Sequence, residues 1–301
     1  MAHETLAQDQ PRAPVHGWNR ARLWRYGWGR RVASDPVLLL SGGVVVLFVV
    51  AGLLAPVLAP YSYTKQSLLH NFEPPLTPGH VLGTDELGRD ILSRLLFGLR
   101  TSLYVGLAVT VISVLAGMVV GLVAGYYRGR LDGALSSLMD IAWGFPMVLV
   151  AIVMVAILQP GITPILIGIS IVNWAGFGRI IRGETMALRE RSFIEAARVV
   201  GAGDGRILLR HILPNTLAPT LIMASFYMGI VITLEAGLSF IGLGAQPPLP
   251  SLGQMVSTGK DYLFQDIWLV LTPGIALAII VLAFNQVGDS LRDLLDPTLK
   301  T

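Results

Sequence analysis

Cysteine is absent from this sequence, which excludes disulfides, thiol nucleophiles and cysteine-ligated metals together. Charge is scarce as well. Only 14% of the residues are Asp, Glu, Lys or Arg, where a soluble domain carries about 25%. Histidine occurs five times, at 3, 16, 70, 80 and 211, and never within a long apolar block. Ser239, set among glycines, therefore has no histidine base in its own segment, and an intramembrane hydrolase finds no support. A nucleotide loop is missing too. Gly253 and Gly259-Lys260 are separated by five residues and followed by Asp261, whereas a phosphate-binding loop needs four residues there and Ser or Thr after the lysine.

What the chain has is apolar sequence in long blocks, 53% of 301 residues. Val37 to Ala59 runs without a charge. That is longer than the core of a signal peptide and long enough to cross a bilayer, which takes about 20 residues, so an uncleaved anchor is expected. Five further spans are expected at Ser102–Tyr126, Ser137–Leu158, Gly161–Gly178, Leu217–Leu243 and Ile267–Gly288. Pro146 and Pro273 fall inside two of them, where membrane helices tolerate proline. Gln159-Pro160-Gly161-Ile162-Thr163-Pro164 reads as a tight turn. The fold class is thus an all-α integral membrane protein with six transmembrane helices.

The basic residues set the orientation. With the N-terminus inside, 17 Lys and Arg lie on the cytoplasmic side and 5 outside; inversion would violate the positive-inside rule. Both termini are expected in the cytoplasm. The chain then divides into a cytoplasmic segment 1–35, a first anchor 36–60, an extracytoplasmic loop 61–100, and a five-helix core 101–301 with a cytoplasmic loop 179–216. A second long outer segment covers about 244–266.

Two acids interrupt the spans, and each is a functional candidate by default. Asp140 lies about one turn from the cytoplasmic end of its helix, where it reaches the interface or pairs with a loop arginine. Glu235 is deeper and either lines a pathway or holds its helix by hydrogen bonds. Gly117, Gly121 and Gly125 have the spacing that lets helices approach closely; internal packing is expected, a seam to a partner being the other reading. Asp85, Glu86, Arg89, Asp90 and Arg94 predict surface ion pairs on a short helix, with a cation site as the other reading.

Within the cytoplasmic loop, Ser192 and Glu195 have capping-box spacing, and Gly201 suits the left-handed position that ends a helix. Asp204 is placed to cap a second short helix, which Pro214 should stop. Arg198, Arg206 and Arg210 keep the pair on the cytoplasmic face.

Glu195-Ala196-Ala197, Gly201 four residues on, and Leu213-Pro214 resemble the EAA motif of bacterial ATP-binding-cassette (ABC) importer permeases, with His211 where isoleucine is usual. Three more stretches resemble the dipeptide/oligopeptide/nickel branch, C-type subunit. These are Leu82 to Arg94, Glu235-Ala236-Gly237-Leu238-Ser239-Phe240 running into Gln246-Pro247-Pro248, and Leu282-Ala283-Phe284-Asn285 through Asp296-Pro297.

The resemblance implies a type I importer permease in a bacterial inner membrane. It would work as a heterodimer with a sister permease, two cytoplasmic ABC ATPases and an extracytoplasmic solute-binding protein, with no nucleic acid. It assigns Glu195, Ala196, Ala197, Arg198, Gly201, His211, Leu213 and Pro214 to ATPase coupling and leaves Glu235 and Asp140 as pathway candidates. No catalytic residue, resident metal or cofactor is expected on this chain; ATP and Mg would be used by the ATPases. Relatives carry dipeptides, longer peptides, nickel chelates, glutathione or sugars. The rival reading is an ion-gradient-driven secondary transporter.

Overall fold

The computed structural model describes residues 35–295, which form helices and no β-strand. The 1–34 stretch of the expected N-terminal segment and the closing Asp296-Pro297 lie outside the described residues. The helices are α1 (Pro36–Leu53), α2 (Ala55–Leu58), α3 (Ile91–Tyr127), α4 (Gly129–Trp143), α5 (Met147–Leu158), α6 (Ile162–Arg189), α7 (Ser192–Val199), α8 (Asp204–Ile207), α9 (Leu213–Phe240), α10 (Leu252–Lys260) and α11 (Trp268–Leu295). Five of them, α1, α3, α6, α9 (entered directly from α8) and α11, are long and apolar enough to cross a membrane; α4 and α5 make a sixth if taken as one bent span.

The first span starts where the sequence supplies a cap. The Asp35 carboxylate accepts from the amides of Val37 and Leu38 at 3.0 and 3.1 Å, and Pro36 takes the first helical position, where its missing N–H costs nothing. At the far end of the protein's longest helix, Asp90 caps α3 by accepting from the Ser93 amide at 2.7 Å. With 37 residues, α3 is about 55 Å long at 1.5 Å per residue, well beyond the ~30 Å hydrocarbon core. The fourth span likewise does not end at Gly178 but continues to Arg189. Both helices therefore project from the bilayer as stiff rods.

The third span is not the single helix expected over Ser137–Leu158. It breaks into α4 and α5 at an angle of 76°. The cause is local: the residue before a proline is pushed out of the helical region, so Phe145 cannot continue α4, and Pro146 becomes the cap of α5. Pro273, by contrast, is carried inside α11.

The seam between α3 and α6 brings two backbones into close approach. A Cβ on Gly117 would meet the Trp174 carbonyl and the Phe177 Cβ at 2.6 Å, one on Gly121 the Gly178 carbonyl at 2.6 Å, and one on Gly125 the Arg182 carbonyl at 2.6 Å. The glycine ladder is thus an internal seam of two parallel helices, since its contacts advance along both together. Around it, Leu99, Leu103, Met228, Ile232, Leu252, Ile280 and Phe284 join α3, α9, α10 and α11. Val105, Val109, Ala151, Val155, Ile165, Ile169 and Val231 join α3, α5, α6 and α9.

Candidate functional site

The loop between α6 and α9 is anchored by apolar side chains and pointed by polar ones. Ile194 of α7 and Ile207 of α8 are fully buried with Ile212 against Leu122 and Tyr126 of α3 and Phe177 and Ile181 of α6. Three isoleucines thereby seat the loop in a socket between the last turns of α3 and the side of α6. The opposite side of α7 is free: Glu195, Ala196 and Arg198 are exposed and Ala197 half-buried. Val199 and Val200 expose 85% and 87% of their surface.

The turn after α7 follows the expectation for Gly201. Its φ is +86°; its amide donates to the Arg198 carbonyl at 2.9 Å and that of Ala202 to the Ala197 carbonyl at 3.0 Å. This is the two-bond left-handed helix stop. The expected caps are not used. Ser192 is the first helical residue rather than the cap, which is Arg191, and no side chain caps the helix. Asp204 is also inside its helix, behind Gly203. Its carboxylate instead accepts from the Tyr126 hydroxyl at 2.7 Å, a partner that competes with the local backbone.

Pro214 does not stop the second loop helix. Its ring and missing N–H conflict with the Arg210 carbonyl, and the chain absorbs this by widening to a π-turn over Leu208–Ile212, a device that keeps a helix running past a misfit. Leu213 donates back to the Leu208 carbonyl, His211 holds Asn215 through its carbonyl at 2.6 Å, and α9 proceeds with Pro214 in its first turn. From Asp204 onward the loop therefore passes into the fifth span as one continuous helix.

Salt links brace the same end. Arg128 donates to Glu190 at 2.6 Å, and Arg182 grips both oxygens of Asp132 at 2.5 and 2.8 Å. Asp140 pairs with Arg179 at 2.5 Å, and that guanidinium lies 4.3 Å from the Trp143 ring centroid. Asp140 thus does find an arginine of the expected 179–216 stretch, at a position to which α6 continues, and the pair is exposed at the α4–α5 bend.

Glu235 sits apart from all of this. It is 1% exposed; one oxygen accepts from Ser102 of α3 and the other from Ser239, each at 2.7 Å. Ser239 in turn accepts from the Ala245 amide at 3.3 Å. The carboxylate ties α3, α9 and the return beyond α9 together, and both its oxygens are engaged.

The charged segment ahead of α3 differs from the sequence reading. Its ion pairs are buried and lie in a turn ahead of α3, not on a surface helix. Asp85 accepts from Arg89 at 2.7 Å and lies 3.3 Å from Arg94; Arg89 also reaches Glu86 at 2.6 Å, and His80 lies 2.9 Å from Asp90. Burial, then the neighbouring Asp85 charge, pushes the Glu86 carboxyl above its ordinary range. Among the described residues no three His, Asp or Glu side chains are grouped to hold a metal ion.

A helical bundle with two long helices seating a pair of short ones, the second of which runs directly into a span, defines the permease class of membrane transport subunit. The fold is that of type I importers: it matches an inward-facing MetNI methionine ABC transporter with a TM-score of 0.54 over 67% of this chain and 96% of the other, at 20% identity. The chain belongs to the family described as binding-protein-dependent transport system inner membrane component, which it matches over residues 117–301. Residues 22–75 match the N-terminal transmembrane domain of oligopeptide transport permease C.

Among its relatives is a dipeptide transport system permease protein, DppC, of Alkalihalophilus pseudofirmus, 39% identical over 96% of this chain and 94% of that one. A di/tripeptide permease of Pseudomonas aeruginosa is 41% identical over 86% and 88%, and a glutathione permease, GsiD, of Escherichia coli 38% identical over 97% and 93%. The chain is accordingly a multi-pass inner-membrane permease subunit of an ABC importer, and the ion-gradient-driven reading is set aside.

Proposed function

We propose that the chain is the C-type permease of a peptide importer, driven by separate ATPases through residues 192–214. It pairs with a sister permease, two ATPases and an extracytoplasmic binding protein, and substrate passes between the two permeases as they alternate in facing. The substrate class rests on the relatives, whose names specify dipeptides, di/tripeptides and glutathione. Residues 1–35, 36–60, 61–100 and 101–301 serve as cytoplasmic segment, anchor, outer loop and core, with 17 basic residues inside supporting that orientation.

The observation that carries the reading is the unbroken helical path from α8 through the π-turn into α9, with α7 held against it by the tight turn at Gly201. An ATPase that grips Glu195, Ala196 and Ala197 moves a rigid body, because Gly201 closes one end and the buried isoleucines the other. Arg198, His211, Leu213 and Pro214 shape the same lever. The chain has no bond chemistry to perform in this scheme; ATP and Mg belong to the partners. Asp140, exposed at the broken span, is the stronger pathway candidate, and Glu235 serves as a tie.

The test is uptake of a labelled dipeptide by proteoliposomes holding the whole importer. Glu195→Ala and Gly201→Asp are expected to keep ATP hydrolysis while uptake falls. Normal uptake by both would overturn the coupling assignment. Because the chain has no cysteine, single cysteines placed at 196 and 264 report sidedness with an impermeant maleimide: only 264 is expected to react from outside.

A further inference from the structure

Between the end of α3 and the cytoplasmic loop lies a cleft of about 310 Å³ lined by Arg128, Arg189, Glu190, Glu195 and Arg198. Three arginines against two glutamates leave one positive charge in excess. Arg128 spends one nitrogen on Glu190, while its buried Nε has no hydrogen-bond partner. Arg189 and Arg198 form no ion pair with any described residue. Both are nevertheless positioned, because their guanidinium carbons lie 5.6 and 5.8 Å from the centroid of one ring, Tyr126. Cations within about 6 Å of an aromatic face are attracted to it.

That ring is itself fixed. Its hydroxyl donates to Asp204 at 2.7 Å, and it meets Tyr127 edge-on at 5.2 Å. One immobile ring thus gathers two like charges that repel each other, an arrangement completed by an anion between them. Arginine's planar fork suits a carboxylate, which it binds through two parallel bonds. Arg198 directly precedes the exposed Val199 and Val200. Apolar tips beside arginines are the composition of a protein interface, with an apolar centre and a polar rim.

We propose that this cleft receives an acidic side chain of the cytoplasmic ATPase, held between Arg189 and Arg198 above the Tyr126 ring. The proposal rests on the loop being the ATPase contact and adds a second point of attachment, of opposite sign to Glu195. It gives the partner charges of both signs to match on the exposed face of α7, which fixes the register of docking as well as its strength.

The experiment co-expresses the tagged full chain with its sister permease and ATPases, purifies the complex in mild detergent, and measures ATPase and sister permease retained per chain at low and high salt. In R189E/R198E the retained ATPase is expected to fall about tenfold or more, with the sister permease still bound. The charge-neutral R189Q/R198Q is expected to lose less and to lose its salt dependence. R130E, an exposed reversal outside the cleft, is expected to match the parent. Parental ATPase retention by both double variants overturns the proposal, including in favour of a phospholipid headgroup or free phosphate as the anion. Loss of ATPase from R130E to the same degree overturns it too, as a general charge effect. If the unmodified chain retains no ATPase, it is the importer reading that fails.

Discussion

The two polar segments outside the membrane are secured in opposite ways. Ahead of α3, the turn is locked by buried charge: Asp85 accepts from the amides of Leu87 and Arg89 as well as from the Arg89 guanidinium, and Thr84 and Asp90 are buried beside it. The loop between α6 and α9 is held by Ile194, Ile207 and Ile212 in an apolar socket, while its charges are exposed. Buried ion pairs have a narrow optimum, because each partner removed leaves an uncompensated charge. Apolar contacts are non-directional and let a seated part shift without losing its seat. The first design fixes a surface; the second suits the lever proposed for this loop.

The contrast breaks most sharply at Asp85. Asp85→Ala removes the acceptor shared by Arg89 and Arg94, both largely buried, and loss of one partner of a buried pair costs about 3–5 kcal/mol. The expected result is a lower unfolding midpoint in detergent and poor recovery of folded chain. An unfolding midpoint equal to the parent's would mean that the turn ahead of α3 is a solvated charge cluster after all.

Ile194→Ala tests the socket. A buried isoleucine cut to alanine costs about 2–5 kcal/mol. Here the expected loss is local, with hydrogen exchange of residues 192–207 accelerating while the bundle keeps its midpoint. Uptake per ATP hydrolysed should fall in the same variant. Equal exchange in loop and bundle would merge the two designs into one.

The legibility of the sequence follows the same division. Apolar runs are read by length alone, so the spans were found. The 76° bend was not, because a proline in an apolar run reads alike whether it is carried, as at Pro273, or breaks the helix, as at Pro146. Gly201 was legible since its left-handed backbone is a local requirement. The cap expected at Asp204 fails for a non-local reason: Asp204 is claimed by Tyr126, 78 residues away. Asp132 and Arg182, 50 residues apart, are equally invisible to spacing rules. Pro214 reads as a stop until the π-turn shows how a helix accommodates it.

The finest cut between the designs is Tyr126→Phe. It deletes the hydroxyl bond to Asp204 and leaves the ring that Arg189 and Arg198 face. Asp204 is exposed, so water replaces the lost donor, and the net cost is about 1 kcal/mol. Local opening of the loop should then rise about fivefold by hydrogen exchange over residues 192–207, without change in the amount of ATPase bound. If ATPase binding falls with the hydroxyl, the ring's placement depends on Asp204, and the apolar socket alone does not seat the lever. If exchange is unaltered, the isoleucines hold the loop unaided and the tyrosine's contribution is its face.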